Sequence, residues 1–208
     1  MPTQGIAGII PKLNLPTFTA AGWTGVALLS QSIAFVATVV YGSFFEWTLH
    51  RNVMHKKTWI SFPFELHAML HHRIFRHDET YHAQSEEMLE HVTFVPRDYI
   101  ILLLVNTPII LAMEWLLKAP IAIGAWAAIL SYLGMFDLLH WSFHVPKERR
   151  MERWFWVRWL KEHHRLHHQY QNRNLNVVFP LADFVFRTRV SRPLDHQPVA
   201  AIPENVAS

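Results

Sequence analysis

The sequence predicts an all-α integral membrane protein, with three transmembrane helices and a histidine-rich helical cap on one side. Three observations point to that fold class. Hydrophobic residues make up 51% of the 208 and charged residues only 17%, against roughly 25% charged in a soluble domain. Long apolar runs interrupt the chain at lengths that suit a bilayer crossing. Ten of the fifteen histidines fall into four tight clusters beside those runs. At this length one domain, residues 1–208, is expected.

The N-terminus carries no basic n-region or small-residue cleavage site, so it is not read as a signal peptide. Met1 to Pro16 is instead an apolar, Pro-containing lead-in. Residues 13–45 hold no Asp, Glu, Lys, Arg or His. Within them, about Ala21 to Phe45 reads as the first span, ending at Glu46 with His50 one turn later. Residues 99–117 form the second span, with Pro108 expected to kink it and Glu114 near its far end. Lys118–Pro120 reads as a short turn, and Ile121 to about Leu139 returns through the membrane into His140. A four-span alternative, in which Ile60 to Leu70 dips in, is too short and polar to favour.

This topology puts all four histidine clusters on one face. Of nineteen Lys and Arg, all but Lys12 and Lys118 lie in segments assigned to that face, which makes it the cytoplasmic one by the positive-inside rule. Residues 147–162 mix Lys and Arg with Trp154, Phe155, Trp156 and Trp159, the pattern of an interfacial helix; a helix packed on the cap is the alternative. Pro193 to Ser208 reads as a poorly ordered tail. The formal charge of +3 is small, and nucleic-acid binding is not expected.

The chain has no cysteine, which excludes disulfides, thiolate sites and iron–sulfur clusters. Any metal must be held by nitrogen and oxygen, and imidazole suits iron, zinc, copper and nickel. His140 and His144, four apart on a helix, share a face as a chelating pair, with Asp137 one turn earlier placed to orient a ring. His67 and His71 repeat that spacing, and His72 points about 100° away. His164, His167 and His168 show three- and four-residue spacings, and His163 extends that cluster. His50 and His55 are five apart, about 140° on a regular α-helix; either the helix changes there or the two face different ions. Ten ligands suit two ions, five nitrogens each leaving one position open on a six-coordinate ion. His77, His82, His91 and His196 are read as surface or interface residues.

HRNVMH, HAMLHH, HWSFH and HRLHH together resemble the four histidine boxes of the membrane-bound fatty acid hydroxylase (sterol desaturase) superfamily. The stretch NLNVVFPLADFVFRT resembles that family's Asn-rich segment and its Pro-Leu-x-Asp-x-x-Phe element, and the resemblance covers about residues 40–190. It implies a membrane oxygenase with a di-iron centre that uses O2 and two electrons to hydroxylate, or otherwise oxidise, a lipid C–H bond. By the same resemblance the metal ligands are His50, His55, His67, His71, His72, His140, His144, His164, His167 and His168. Asp137, Asn176 and Asp183 are candidates for holding those ligands in place. Two iron ions are the implied cofactor, with zinc able to replace them, and O2 is the co-substrate. A bilayer lipid and an external electron donor, a ferredoxin or a cytochrome with its reductase, are the implied partners; the bacterial inner membrane and the endoplasmic reticulum are the compartments. Beta-carotene hydroxylases share much of the pattern, although their third box usually has four intervening residues rather than three; carotenoid hydroxylation or lipid desaturation is the alternative. A membrane metal transporter or metal-binding protein is the rival of another class, and apolar spans with histidines at one edge argue against a transporter.

Overall fold

Two close approaches through glycine set the packing of the bundle. The computed structural model describes residues 25–147 and 149–193; the lead-in, the start of the first predicted span and all but the first residue of the tail lie outside them. Helix α1 (Gly25–Leu49) packs along α5 (Ala122–His144). At Gly42 a methyl group would press on the Tyr132 ring, and at Gly124 it would collide with the Gln31 backbone. Gly124 N also donates to Gln31 Oε1 at 2.6 Å. Small residues that bring backbones together are the usual adhesive between membrane helices.

Helix α4 (Pro96–Leu117) also packs on α5. Its connection to α5 turns at Lys118, a left-handed residue (φ 51°). Glu114 reaches across that turn: its Oε2 accepts from Ile121 N at 2.9 Å and Ala122 N at 2.7 Å, satisfying donors that a helix start leaves unpaired. Pro108 sits inside α4 without ending it. The outward side chains are large and apolar, among them Leu104, Leu116, Ile33 and Val36. Among the described residues three helices are thus long and apolar enough to cross a membrane, Ala27–Met54, Glu87–Leu117 and Ala122–His144. No strand occurs among the described residues.

Three boundaries differ from the sequence reading. The first span does not stop at Glu46. The carboxylate is buried, accepting from Tyr132 OH at 2.6 Å and Val177 N at 2.6 Å, so the helix carries it inside and continues into a π-helical turn, His50–Met54. The short helices α2 (Phe62–Phe64) and α3 (His72–Ile74) flank a second π-helical segment, Glu65–His71, with no fourth span. Residues 147–162 are not one helix. A 3₁₀ turn, Arg150–Arg153, precedes α6 (Phe155–Gln169), because the buried Glu152 carboxylate accepts from Arg149 N and Lys161 Nζ and pins the chain there. Trp154, Phe155 and Trp156 are exposed at that start, as an aromatic belt requires. A last short helix, α7 (Leu181–Val185), packs on α1.

Gly124→Ala meets backbone that cannot yield, so it is expected to cost about 1–3 kcal/mol. Gly134→Ala, at a helical site with nothing within 4 Å of the new methyl, is expected to gain up to about 1 kcal/mol. Unfolding of both variants in detergent checks the pair; equal midpoints would contradict the close-packing account.

Candidate metal centre

The ten clustered histidines converge at one end of the bundle and sort into two groups of five. His50, His55, His67, His72 and His167 form the first; His71, His140, His144, His164 and His168 form the second. Within each group one nitrogen per ring lies within 4.8 Å of all the others. All ten rings are buried except His55, which is partly so.

Two helical periods produce this sorting. Group two takes its pairs from α-helix: His140 and His144 on α5, His164 and His168 on α6, each four apart. Group one takes its pairs from π-helix. His55 N donates to His50 O at 3.0 Å, and the His72 N–H donates to His67 O, each a five-residue closure that puts residues five apart on one side. The 140° separation expected for His50 and His55 applies to an α-helix, and this turn is not one. For the same reason His67 and His71 do not chelate together: His67 pairs with His72, and His71 crosses to group two. His167 crosses the other way and joins group one.

Backbone carbonyls fix the tautomers. The Nδ1 of His50 donates to Leu175 O (2.5 Å), that of His140 to Val92 O (2.8 Å) and that of His144 to Tyr81 O (2.9 Å). His167 donates to Arg173 O (2.8 Å) and His168 to Phe75 O (2.6 Å). A carbonyl only accepts, so each of these five rings carries its proton on Nδ1 and turns a bare Nε2 lone pair inward. His50 Nε2 lies 2.8 Å from His67 Nε2, and His167 Nε2 lies 3.1 Å from both His55 Nε2 and His72 Nε2. In group two, His164 Nε2 faces His168 Nε2 at 3.0 Å and His144 Nε2 at 3.3 Å. Three lone pairs, those of His140, His144 and His168, then converge with no proton of their own between them. His140 Nε2 and both ring nitrogens of His71 have no hydrogen-bond partner at all. Buried acceptors facing one another are unfavourable unless a cation lies between them. The residues therefore fit a metal ion in each group.

Burial, and then the neighbouring imidazoles, push His55, His67, His71, His72, His164 and His167 well below the ordinary histidine value. Burial is also the main cause that brings His168 down to about 3. The rings are neutral near pH 7, the form that ligates metal.

The three residues expected to steady the ligands act at one remove. Asp183 accepts from Leu175 N (3.0 Å), Asn176 N (2.8 Å) and Thr188 Oγ1 (2.6 Å), so it holds the loop whose Leu175 carbonyl orients His50. Burial alone would raise the Asp183 carboxyl, but hydrogen bonds from His163, Thr188 and Asn176 N outweigh it and hold it low. Asn176 binds Ser43 O (2.8 Å) and Glu46 Oε2 (3.0 Å), tying that loop to α1. Asp137 does not touch His140. It accepts from Phe94 N (3.0 Å) and Tyr99 OH (2.5 Å), and the Val92 carbonyl two residues before Phe94 takes the role expected of it. His163 belongs to neither group; its Nε2 donates to Asp183 at 3.1 Å and its ring stacks on Trp159. His77 and His91 are exposed and His82 half-buried, all outside both groups, and His196 lies outside the described residues.

Glu46 is the residue that sequence reasoning missed. It was visible as the lone carboxylate closing a long uncharged run. It sits one turn from His50 and lines a cavity between α1, α4 and α5 that is partly open to the outside. His50 is the group-one histidine on the cavity wall, and Phe94 stacked on Phe136 (4.9 Å) stands between the cavity and His140.

A family model described as fatty acid hydroxylase matches residues 35–188. No curated protein and no solved structure matches the chain.

The depressed histidine values have a consequence for stability. Between the ordinary value of 6.5 and the value of about 3 at His168, the unfolded chain binds more protons than the folded one. Metal-stripped protein is therefore expected to hold level stability above the upper limit and to lose stability as the pH falls through that window. Unfolding of chelator-treated protein across pH checks this; a midpoint unchanged between about pH 7 and 5 would contradict it.

Proposed function

Since the chain belongs to the fatty acid hydroxylase family, we propose that it is a membrane-bound, O2-dependent oxygenase that hydroxylates a C–H bond of a lipid. The observation that carries this reading is the pair of five-imidazole groups with bare lone pairs turned inward. His50, His55, His67, His72 and His167 would hold one iron ion, and His71, His140, His144, His164 and His168 the other. Bound iron supplies the O2 activation and hydrogen removal that no amino-acid side chain can perform. Zinc fits the same nitrogens but lacks the redox change that O2 chemistry needs.

The chain's own residues bind, orient and shield. The five carbonyl acceptors hold ligand rings to one tautomer and one direction, as ligand histidines generally require. The cavity between α1, α4 and α5 admits the lipid from the bilayer. Phe94 and Phe136 keep water from the group-two side of that cavity. The electrons come from a separate ferredoxin or cytochrome with its reductase. Lys and Arg concentrated at the histidine end support a cytoplasmic placement of the centre. A metal carrier would need ligands along its spans, whereas these histidines gather at one end, closed in by carbonyls.

Purified protein loaded with iron and supplied with reductant and an electron donor is expected to consume O2 only when a lipid is added, with a hydroxylated product seen by mass spectrometry. Lipid-independent uptake, or none, would sink the reading. His140→Ala is expected to lower the metal content by about one ion in two and abolish turnover. Asp183→Asn loosens the Leu175 loop rather than removing a ligand, and is expected to weaken metal binding by about 10–100-fold. Elemental analysis after graded chelation checks both, and unchanged metal retention in His140→Ala would remove that residue from the ligand set.

A further inference from the structure

Helices α1 and α4 pack on α5 and scarcely on each other, and the cavity occupies the gap between them. Its histidine end is walled by His50 and Met54. Its deep end is walled by Thr38, Tyr41 and Asn106. Across that deep end Tyr41 OH donates to Asn106 Oδ1 at 2.9 Å, and Asn106 Nδ2 donates back to Leu102 O at 2.7 Å. The bond bridges two helices that otherwise stand apart. Asn106 is 3% exposed in mid-helix, and a polar side chain buried within a span is rare and faces the bundle interior or a cavity.

The lining has no Lys or Arg, and its one carboxylate, Glu46, already accepts from Tyr132, Asn176 and Val177. An ionised headgroup inside would be desolvated without a counter-charge. Basic side chains stand at the histidine end instead: Arg51 over the Trp47 ring at 5.0 Å and Arg97 over Phe62 at 5.2 Å. A lipid in the leaflet on that side already has its headgroup at their level and its tail directed towards the deep end. Tyr41 and His50 are nine positions apart on one helix, or about 14 Å.

We propose that this cavity binds the uncharged hydrocarbon tail of a lipid, tail inward, with the Tyr41–Asn106 bridge as its end wall. The distance from that wall to His50 then selects the carbon presented to the first histidine group. Selection of the carbon rests on the oxygenase reading above; binding of the tail does not.

The test uses the full chain in phosphatidylcholine nanodiscs, loaded with zinc so that no turnover occurs. The probe is a phosphatidylcholine with a diazirine at the end of one acyl chain. Irradiation is expected to label Thr38, Tyr41 or Asn106 above the outward-facing Leu104 and Leu116. Excess hexadecane should reduce the inner labelling several-fold and leave the outer labelling unchanged. Thr38→Trp should reduce the inner labelling likewise, and Tyr41→Ala should move it deeper, towards Ala34. Labelling confined to the outer residues, or inner labelling that hexadecane does not compete, overturns the proposal. In the iron-loaded enzyme, Tyr41→Ala is expected to move the oxidised carbon away from the methyl end; an unmoved position overturns the end-wall role. Competed inner labelling without any lipid oxidation supports the binding site while removing the oxygenase reading.

Discussion

Nitrogen lone pairs crowded together in a buried space are the constraint on which this structure depends. A neutral imidazole can always turn a proton towards a neighbour, and a cluster of histidines could in principle satisfy itself. Here it cannot, because carbonyls at Leu175, Val92, Tyr81, Arg173 and Phe75 claim the proton of five rings. The loops carrying those carbonyls are themselves bound. Asn174, left-handed at φ 53°, bonds to Val190 and to His163 O. Leu175, Asn176 and Val177 are held by Asp183 and Glu46. This polar network outside the histidines keeps the Leu175 acceptor pointed at His50.

The membrane bundle and the centre are one mechanical unit through Glu46. Its oxygens take donors from α5 (Tyr132) and from the Asn174–Val177 loop (Asn176, Val177). The loop then reaches His50, one turn above Glu46 on α1. Gly42 permits this, since a larger residue would push Tyr132 off α1. A shift of α5 against α1 is therefore felt at His50 through three successive hydrogen bonds, from Tyr132 to Glu46, from the loop to Glu46 and from His50 to Leu175 O, whereas His140 and His144 ride on α5 directly.

The legible part of the sequence was the part governed by α-helical period and by charge. Apolar length gave three spans, and the four-residue spacings of His140/His144 and His164/His168 describe pairs that do share a group. The π-helical turns were not legible, because no local residue preference in the sequence marks their five-residue closure. His67 and His71 looked like a pair and are divided, while His50 and His55 looked incompatible and belong together. The carbonyl acceptors were equally hidden: every residue has one, so sequence cannot mark which five are used. Asp137 illustrates the cost, since a carboxylate one turn from His140 was the natural partner and a backbone oxygen took its place.

The mixture of periods also explains how ten histidines make two centres rather than one pool. In a purely α-helical cap each cluster would present its two most closely aligned histidines to a single side. Inserting the π turns rotates the first two clusters so that their pairs are five apart, and it frees His71 from His67. His71 then faces the α5 and α6 pairs, and His167, offset from His164 and His168 by its position on α6, faces the π pairs. Each group is thereby completed by a ring from the other group's scaffold, and His72 and His168 touch at 4.3 Å between ring centres. A displacement of the second π turn, which supplies His67 and His72 to one group and His71 to the other, would therefore disturb both groups at once.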